Sequence, residues 1–281
     1  MLFRVLGPLT VGSPFAAGER LTAPKPRKAL ALLLMHADRV VPTDLLFTEL
    51  WDDEPPASAQ TTLQTYILQI RRMLARTFAL DPAAVARDLL VTASDGYRMQ
   101  VRDRPGAGGD ELDLHCYERL AAQGRHAADC GDHGRAARLL GQALDVWRGA
   151  ALVDVRVGAV LRVETRRLEE DRLATWKQRI DADLALDRHH EILGELSSLA
   201  ARHPLHEDLQ AQYMIALYRA GRRTDALQAF QQLRGVLLDD LGLEPSRRMQ
   251  HIQRAILSAD PALDASAPYA EAGVLAGAGA R

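Results

Sequence analysis

The chain has 281 residues, enough for one large domain or two ordinary ones, and 47% are hydrophobic, enough for packed cores. The formal net charge is −2, with 13 Lys and Arg against 11 Asp and Glu in residues 1–104 and 22 against 26 in the rest, so a polyanion would need a basic face rather than a basic whole. Nothing reaches the roughly 18 apolar residues of a membrane span, and Gly7-Pro8 cuts the N-terminal apolar run too short for a signal peptide.

Aromatics are few, at 5%, while Ala, Leu and Arg are abundant, which suits helices crossing closely on small residues. Residues 2–6 and 9–11 read as short strands split by Gly7-Pro8, and residues 20–22 as a third. Residues 24–41 read as a helix with Ala29, Leu30, Leu33 and Leu34 inward. Lys25, Arg27 and Lys28 crowd its first turn, where cations oppose the helix dipole, a cost that phosphate contacts could offset. Residues 44–51 form a second helix with Leu45, Leu46 and Leu50 inward, followed by the loop Asp52-Asp-Glu-Pro-Pro-Ala57.

Ser58 is placed to cap a third helix over residues 58–74. At helical pitch Leu63, Ile67, Ile70 and Leu74 share one face, and Thr61, Thr65, Leu68, Gln69, Arg72 and Arg76 the other. The second face offers hydrogen-bonding and basic groups and no acid, the chemistry that suits a DNA major groove. A solvated surface helix has the same period, so the neighbours must decide. Residues 77–88 read as a connection, and residues 89–101 as a hairpin turning at Asp95-Gly96.

Strands, three helices and a hairpin are the order of a winged helix with an N-terminal sheet. The blocks Arg27-Lys-Ala-Leu-Ala-Leu-Leu-Leu34, His36-Ala-Asp-Arg-Val-Val-Pro42, Glu49-Leu-Trp51, Glu54-Pro-Pro-Ala57, Thr62-Leu-Gln-Thr-Tyr66, Ile70-Arg-Arg72 and Gly96-Tyr-Arg98 occur in order at suitable spacing. Together they resemble the DNA-binding domain of the Streptomyces antibiotic regulatory protein (SARP) family, transcriptional activators with an OmpR-like winged helix. The resemblance implies that residues 62–72 are the recognition helix. Thr61, Thr62, Thr65, Leu68, Gln69 and Arg72 then become the base-reading candidates. Lys25, Arg27, Lys28, Arg71 and Arg76 become the phosphate candidates, with Arg72 suited to either task, and Arg98 the wing arginine at the minor groove. Asp52, Asp53 and Glu54 become candidates for contact with the sigma subunit of RNA polymerase, the alternative being a solvated turn. One departure matters: many members carry Ser-Arg where this chain has Leu68-Gln69. Arg grips guanine, whereas Gln prefers adenine and Leu can touch only an apolar group such as the thymine methyl, so the site read here is expected to be richer in A·T at one position. The alternative is that Leu68 packs on the protein and Gln69 touches phosphate.

Arg104-Pro-Gly-Ala-Gly-Gly109 reads as a joint. From there to about residue 260 nearly everything reads as helix. Asp187-Arg-His-His-Glu-Ile-Leu193 and Gly221-Arg-Arg-Thr-Asp-Ala-Leu227 repeat at the 34-residue tetratricopeptide period. Gly131-Asp-His-Gly-Arg-Ala-Ala137 is a third such turn, Pro204 and Pro245 mark handovers between helical pairs, and residues 149–163 interrupt the array. Ala143-Leu-Asp-Val-Trp-Arg-Gly149, His203-Pro-Leu205 and Leu241-Gly-Leu-Glu-Pro245 resemble blocks of the bacterial transcriptional activation domain of the same family. The expected fold is thus an α+β winged helix followed by an all-α, TPR-like domain, mostly α overall. Residues 1–103 would bind DNA, 104–110 link, 111–260 form the activation domain and 261–281 a disordered tail.

No Walker-type phosphate loop occurs, and no receiver domain precedes the winged helix. His126, Cys130 and His133 could share a helical face, but two His and one Cys without a fourth ligand make a poor zinc site. Cys116 and Cys130 read as reduced, buried thiols of a cytoplasmic protein. No cofactor and no enzymatic activity are expected. The expected partners are double-stranded promoter DNA bearing direct repeats, RNA polymerase holoenzyme and further copies on DNA, in the cytoplasm at the nucleoid. The other reading is a TPR-like adaptor whose winged helix does not read DNA specifically.

Overall fold

The computed structural model describes residues 2–12, 21–52, 54–101 and 112–263. Strands β1 (Leu2–Arg4) and β2 (Thr10–Gly12) pair antiparallel, Phe3 opposite Val11. Helices α1 (Pro24–Met35), α2 (Thr43–Trp51), α3 (Ala59–Phe78) and α4 (Pro82–Asp88) follow, with β3 (Val40–Pro42) between the first two. Strands β4 (Leu90–Thr92) and β5 (Gly96–Met99) close the module in a three-stranded antiparallel sheet of order β3-β5-β4. This is a winged helix with an N-terminal sheet.

Three local expectations need correction. Leu21 and Thr22 form no strand, and Arg20 lies outside the described residues. The first helix stops at Met35 rather than near Val41. Asp38 turns the chain in a left-handed conformation (φ 67°), its N–H donates to the Met99 carbonyl at 2.7 Å, and its carboxylate accepts from Val101 N at 2.7 Å. The β-branched Val40 and Val41 are thereby delivered to β5, where cross-strand pairing outweighs helical periodicity. Residues 82–88, read as connection, are helical, because the Asp81 carboxylate caps Ala84 N at 3.0 Å and Pro82 takes the first turn. Ser58 stands before α3, but its side chain makes no capping bond.

Asp95-Gly96 does sit at the hairpin, yet neither residue has positive φ. Gly96 is needed for room: a Cβ there would lie 2.0 Å from the Val41 carbonyl oxygen. The glycine lets β3 approach β5.

The chain divides into two compact units, residues 1–122 with 142–173, and residues 123–141 with 174–281. In the first, the winged helix shares one apolar core with the start of α5 (Asp113–Asp129), the end of α6 (His133–Asp145), the segment 146–158 and the start of α7 (Ala159–Ala185). The Asp113 carboxylate accepts from Val5 N (2.8 Å), Leu6 N (3.0 Å) and Arg148 (3.1 Å). Burial pushes this carboxyl above its usual range, against those hydrogen bonds.

The second unit contains α8 (His189–Arg202), α9 (Glu207–Arg219), α10 (Arg223–Leu241) and α11 (Arg247–Ser258), around Met214, Phe230, Leu233 and Ile252. Its helical pairs turn on one device. Gly131, Asp187 and Gly221 are all left-handed (φ 75°, 58° and 75°). Each donates its N–H to the carbonyl three residues back, and the following residue donates to the carbonyl five back, a Schellman turn. Short helical pairs on a repeated turn make this unit TPR-like. Pro261–Leu263 adds a 3-10 turn with Leu263 buried, so ordered structure enters the segment read as tail. The remainder of that tail and the 104–110 joint lie outside the described residues. Among the described residues no helix is long and apolar enough to cross a membrane.

Candidate nucleic-acid interface

Helix α3 buries Leu63, Ile67, Ile70, Met73 and Leu74, all at most 4% exposed, against α1 and the module core. Its other side presents Gln60, Thr61, Gln64, Thr65, Leu68, Gln69, Arg72 and Arg76, all exposed, with Thr62 half-buried at the edge. No acid stands on that side. Leu68 is 46% exposed on the outward side of α3. The Thr65 hydroxyl donates to the Thr61 carbonyl at 3.0 Å. Gln60 and Gln64 belong to this face and were passed over by the sequence reading. Gln64 lies one turn from both Thr61 and Leu68, so helical spacing alone could have found it.

The basic residues divide. Arg72 and Arg76 are exposed on the outward face. Arg71 is turned inward: its guanidinium donates to the Leu90 carbonyl (2.7 and 3.0 Å) and to Thr92 Oγ1 (2.8 Å), which fastens α3 to the wing. Its burial lowers the pKa from the ordinary arginine value. Arg27 donates to the Leu9 carbonyl at 3.2 Å and pairs with Asp154. Lys28 donates from Nζ to the Glu49 carbonyl at 3.0 Å. The ammonium of Lys25 stands 4.9 Å from the centre of the Trp51 ring. The expected phosphate role of Arg27, Lys28 and Arg71 therefore meets a competing fact, since each donates to a partner inside the protein. The dipole cost read into the first turn of α1 is offset internally.

Arg98 lies on the central strand of the wing sheet, opposite Val40 and Val91, and is half-buried. It is not at the hairpin tip, which is formed by residues 93–95. Asp52 and Glu54 are exposed after α2, with Asp52 held at φ 55°, where few non-glycine residues sit. Asp53 lies outside the described residues. Cys130 is exposed and Cys116 half-buried, neither in a disulfide, which corrects the expectation of buried thiols. The Cys130 sulfur is 3.9 Å from His126 Nε2, and among the described residues no group of three or more His, Cys, Asp or Glu is arranged around a metal.

The most consequential residue the sequence reading missed is Glu49 on α2, fully buried. Its carboxylate accepts from Gly158 N at 2.5 Å and Leu161 N at 2.9 Å, at the first turn of α7. No signal local to residue 49 shows this, because the partners are more than a hundred positions away.

Comparison with known proteins gives this arrangement a family. Residues 19–99 match the model "Transcriptional regulatory protein, C terminal", and residues 112–257 match "Bacterial transcriptional activator domain". The chain is 46% identical to the regulatory protein DnrI of Streptomyces peucetius over 95% of its own length and 96% of that protein's. It is 37% identical to the regulatory protein AfsR of Streptomyces coelicolor over 96% of this chain but 25% of AfsR. A solved structure, Mycobacterium tuberculosis EmbR in complex with a low-affinity phosphopeptide, superposes with a TM-score of 0.82 at 31% identity, covering 92% of this chain and 65% of EmbR. The chain therefore belongs to the SARP family of transcriptional regulators, which join an OmpR-like winged helix to a bacterial transcriptional activator domain.

Proposed function

We propose that this protein activates transcription of an antibiotic or other secondary-metabolite gene cluster by binding direct repeats near promoters and recruiting RNA polymerase. The observation that carries this reading is the outward face of α3: Thr, Gln, Leu and Arg in a continuous stripe, without an acid. Thr61, Thr62, Thr65, Leu68, Gln69 and Arg72, joined by Gln64, read base edges in the major groove, and exposed Leu68 meets a thymine methyl. Arg76 and Arg72 grip phosphate, as does Lys25 from its place over Trp51, and Arg98 serves the minor groove. Arg27, Lys28 and Arg71 hold the module together.

Asp52, Asp53 and Glu54 meet a basic surface of the sigma subunit, and adjacent copies associate along the repeats. The protein works at the nucleoid in the cytoplasm, as a regulator without enzymatic chemistry.

The test is a footprint of the purified chain on the promoters flanking its own gene, followed by titration of the protected duplex against random duplex. Protection of direct repeats with clear preference over random sequence is the expected result. Equal binding to both would overturn it. For the polymerase arm, Asp52→Ala with Glu54→Ala should reduce activated transcription in a purified system and leave the footprint intact. Undiminished activation would remove sigma contact from the proposal.

A further inference from the structure

A carboxylate buried with no cation beside it needs strong hydrogen bonds to stay in place. Glu49 is 0% exposed, and the neighbouring Lys28 ammonium bonds to its backbone carbonyl, not its carboxylate. Its two hydrogen bonds come from the amides that open α7, which carry the positive end of that helix dipole. The fit is close from the other side too: a Cβ on Gly158 would lie 2.5 Å from the Glu49 carbonyl oxygen and 2.9 Å from its Oε1. Glu49 is thus the N-terminal cap of α7, supplied by the winged helix. Such a contact is either made or lost, because a half-made one leaves a charge buried.

The same turn of α2 leads to the recognition helix. Two residues after Glu49, the Trp51 ring stacks on Tyr66 of α3, centroids 6.3 Å apart and planes 20° apart, and meets Phe47 edge-on at 5.5 Å. Tyr66 is one turn from Thr62 and Gln69 on α3. A path therefore runs from the α7 amides to Glu49, along the last turn of α2 to Trp51, and through Tyr66 to the reading face.

We infer that Glu49 is a positioning residue for DNA recognition, through which the first turn of α7 sets the seat of α3 and operator binding in turn tightens the α7 cap. This rests on the proposal that α3 reads DNA. It requires more than stability, because coupling is reciprocal: if the cap favours operator binding, operator must favour the cap by the same factor. Spatial continuity alone does not establish coupling, so the test must measure it.

Amide exchange across residues 156–163 of the full chain is followed alone, with the footprinted direct-repeat duplex and with random duplex. Slowing by about fivefold or more with the operator only, the low end of ordinary coupling factors, is expected. In parallel, Glu49→Gln, whose amide turns a donor toward a donor, should lower the preference for operator over random duplex by about fivefold to tenfold. Tyr66→Leu should do likewise, and the double variant should lose no more selectivity than the worse single, as expected of one path. An operator that binds without slowing exchange, or additive losses of selectivity, would overturn the inference and leave the DNA-binding proposal standing. A wild-type chain with no operator preference would overturn both. The exchange arm uses the unaltered protein, so it decides the matter even if Glu49→Gln does not fold.

Discussion

Two clusters of cations look alike in the sequence and are used differently. In the first turn of α1, Lys25, Arg27 and Lys28 are matched with an aromatic ring, a carboxylate and a carbonyl within their own compact unit. On α3, Arg72 and Arg76 stand outward while Arg71, the residue before Arg72, turns in to hold the wing. Charge density along a sequence therefore does not separate cations turned outward from cations committed inside the fold. An arginine with two internal acceptors would have to give them up to meet a phosphate.

The largest effect that could break this comparison is at Arg27. Arg27→Ala should lower unfolding stability by about 2 kcal/mol, because the Leu9 and Leu21 carbonyls and the Asp154 carboxylate all lose this charged donor, and should leave the salt dependence of DNA binding unchanged. Denaturant titration and a salt series measure the two quantities, and a shallower salt slope would return Arg27 to the phosphate set. Next is Gln69→Ala, expected to cost about 1–3 kcal/mol on the operator and to flatten the preference at one base pair. Equal losses on random duplex would make Gln69 a phosphate contact. Arg76→Ala should weaken binding to every duplex and reduce the magnitude of the salt slope by about one; an unchanged slope would put Arg76 in the class of Arg27.

The smallest effect concerns an acid and follows the same logic of internal commitment. The native pKa of Asp113 is raised by burial, so the folded chain holds this proton more tightly than the unfolded chain does. Its contribution to stability is greatest below the ordinary carboxylate range and declines as pH rises through that range to the raised native value. The stability advantage of wild type over Asp113→Asn should therefore shrink from pH 4 toward neutrality. An advantage that grew with pH would show that the Val5, Leu6 and Arg148 hydrogen bonds outweigh burial.

What could be read in advance depended on how local the cause is. The α3 face was legible because its period is written within twenty residues, and the tetratricopeptide turns because Gly131 and Gly221 mark left-handed positions; Asp187 fills the same position without a glycine. Strand β3 was not legible, since Val40-Val41 continues a plausible helix until Met99 and Arg98 claim it across the sheet. Gly96 was placed correctly for a different reason from the true one, which is the Val41 carbonyl against it. Glu49 and the inward turn of Arg71 were invisible because their partners come from distant segments, and a charged residue on a helix is ordinarily a surface residue.

The discontinuous makeup of the first unit also governs how the protein is made. Glu49 leaves the ribosome well before its acceptor site exists, since Gly158 and Leu161 follow 109 and 112 residues later. At ordinary synthesis rates of roughly 5–20 residues per second, the nascent winged helix waits on the order of 5–20 s with an unmatched carboxylate in its second helix. Val5 and Leu6 wait a similar span for Asp113. A chain interrupted before residue 158 therefore leaves the Glu49 carboxylate without either of the amides it accepts from in the finished fold.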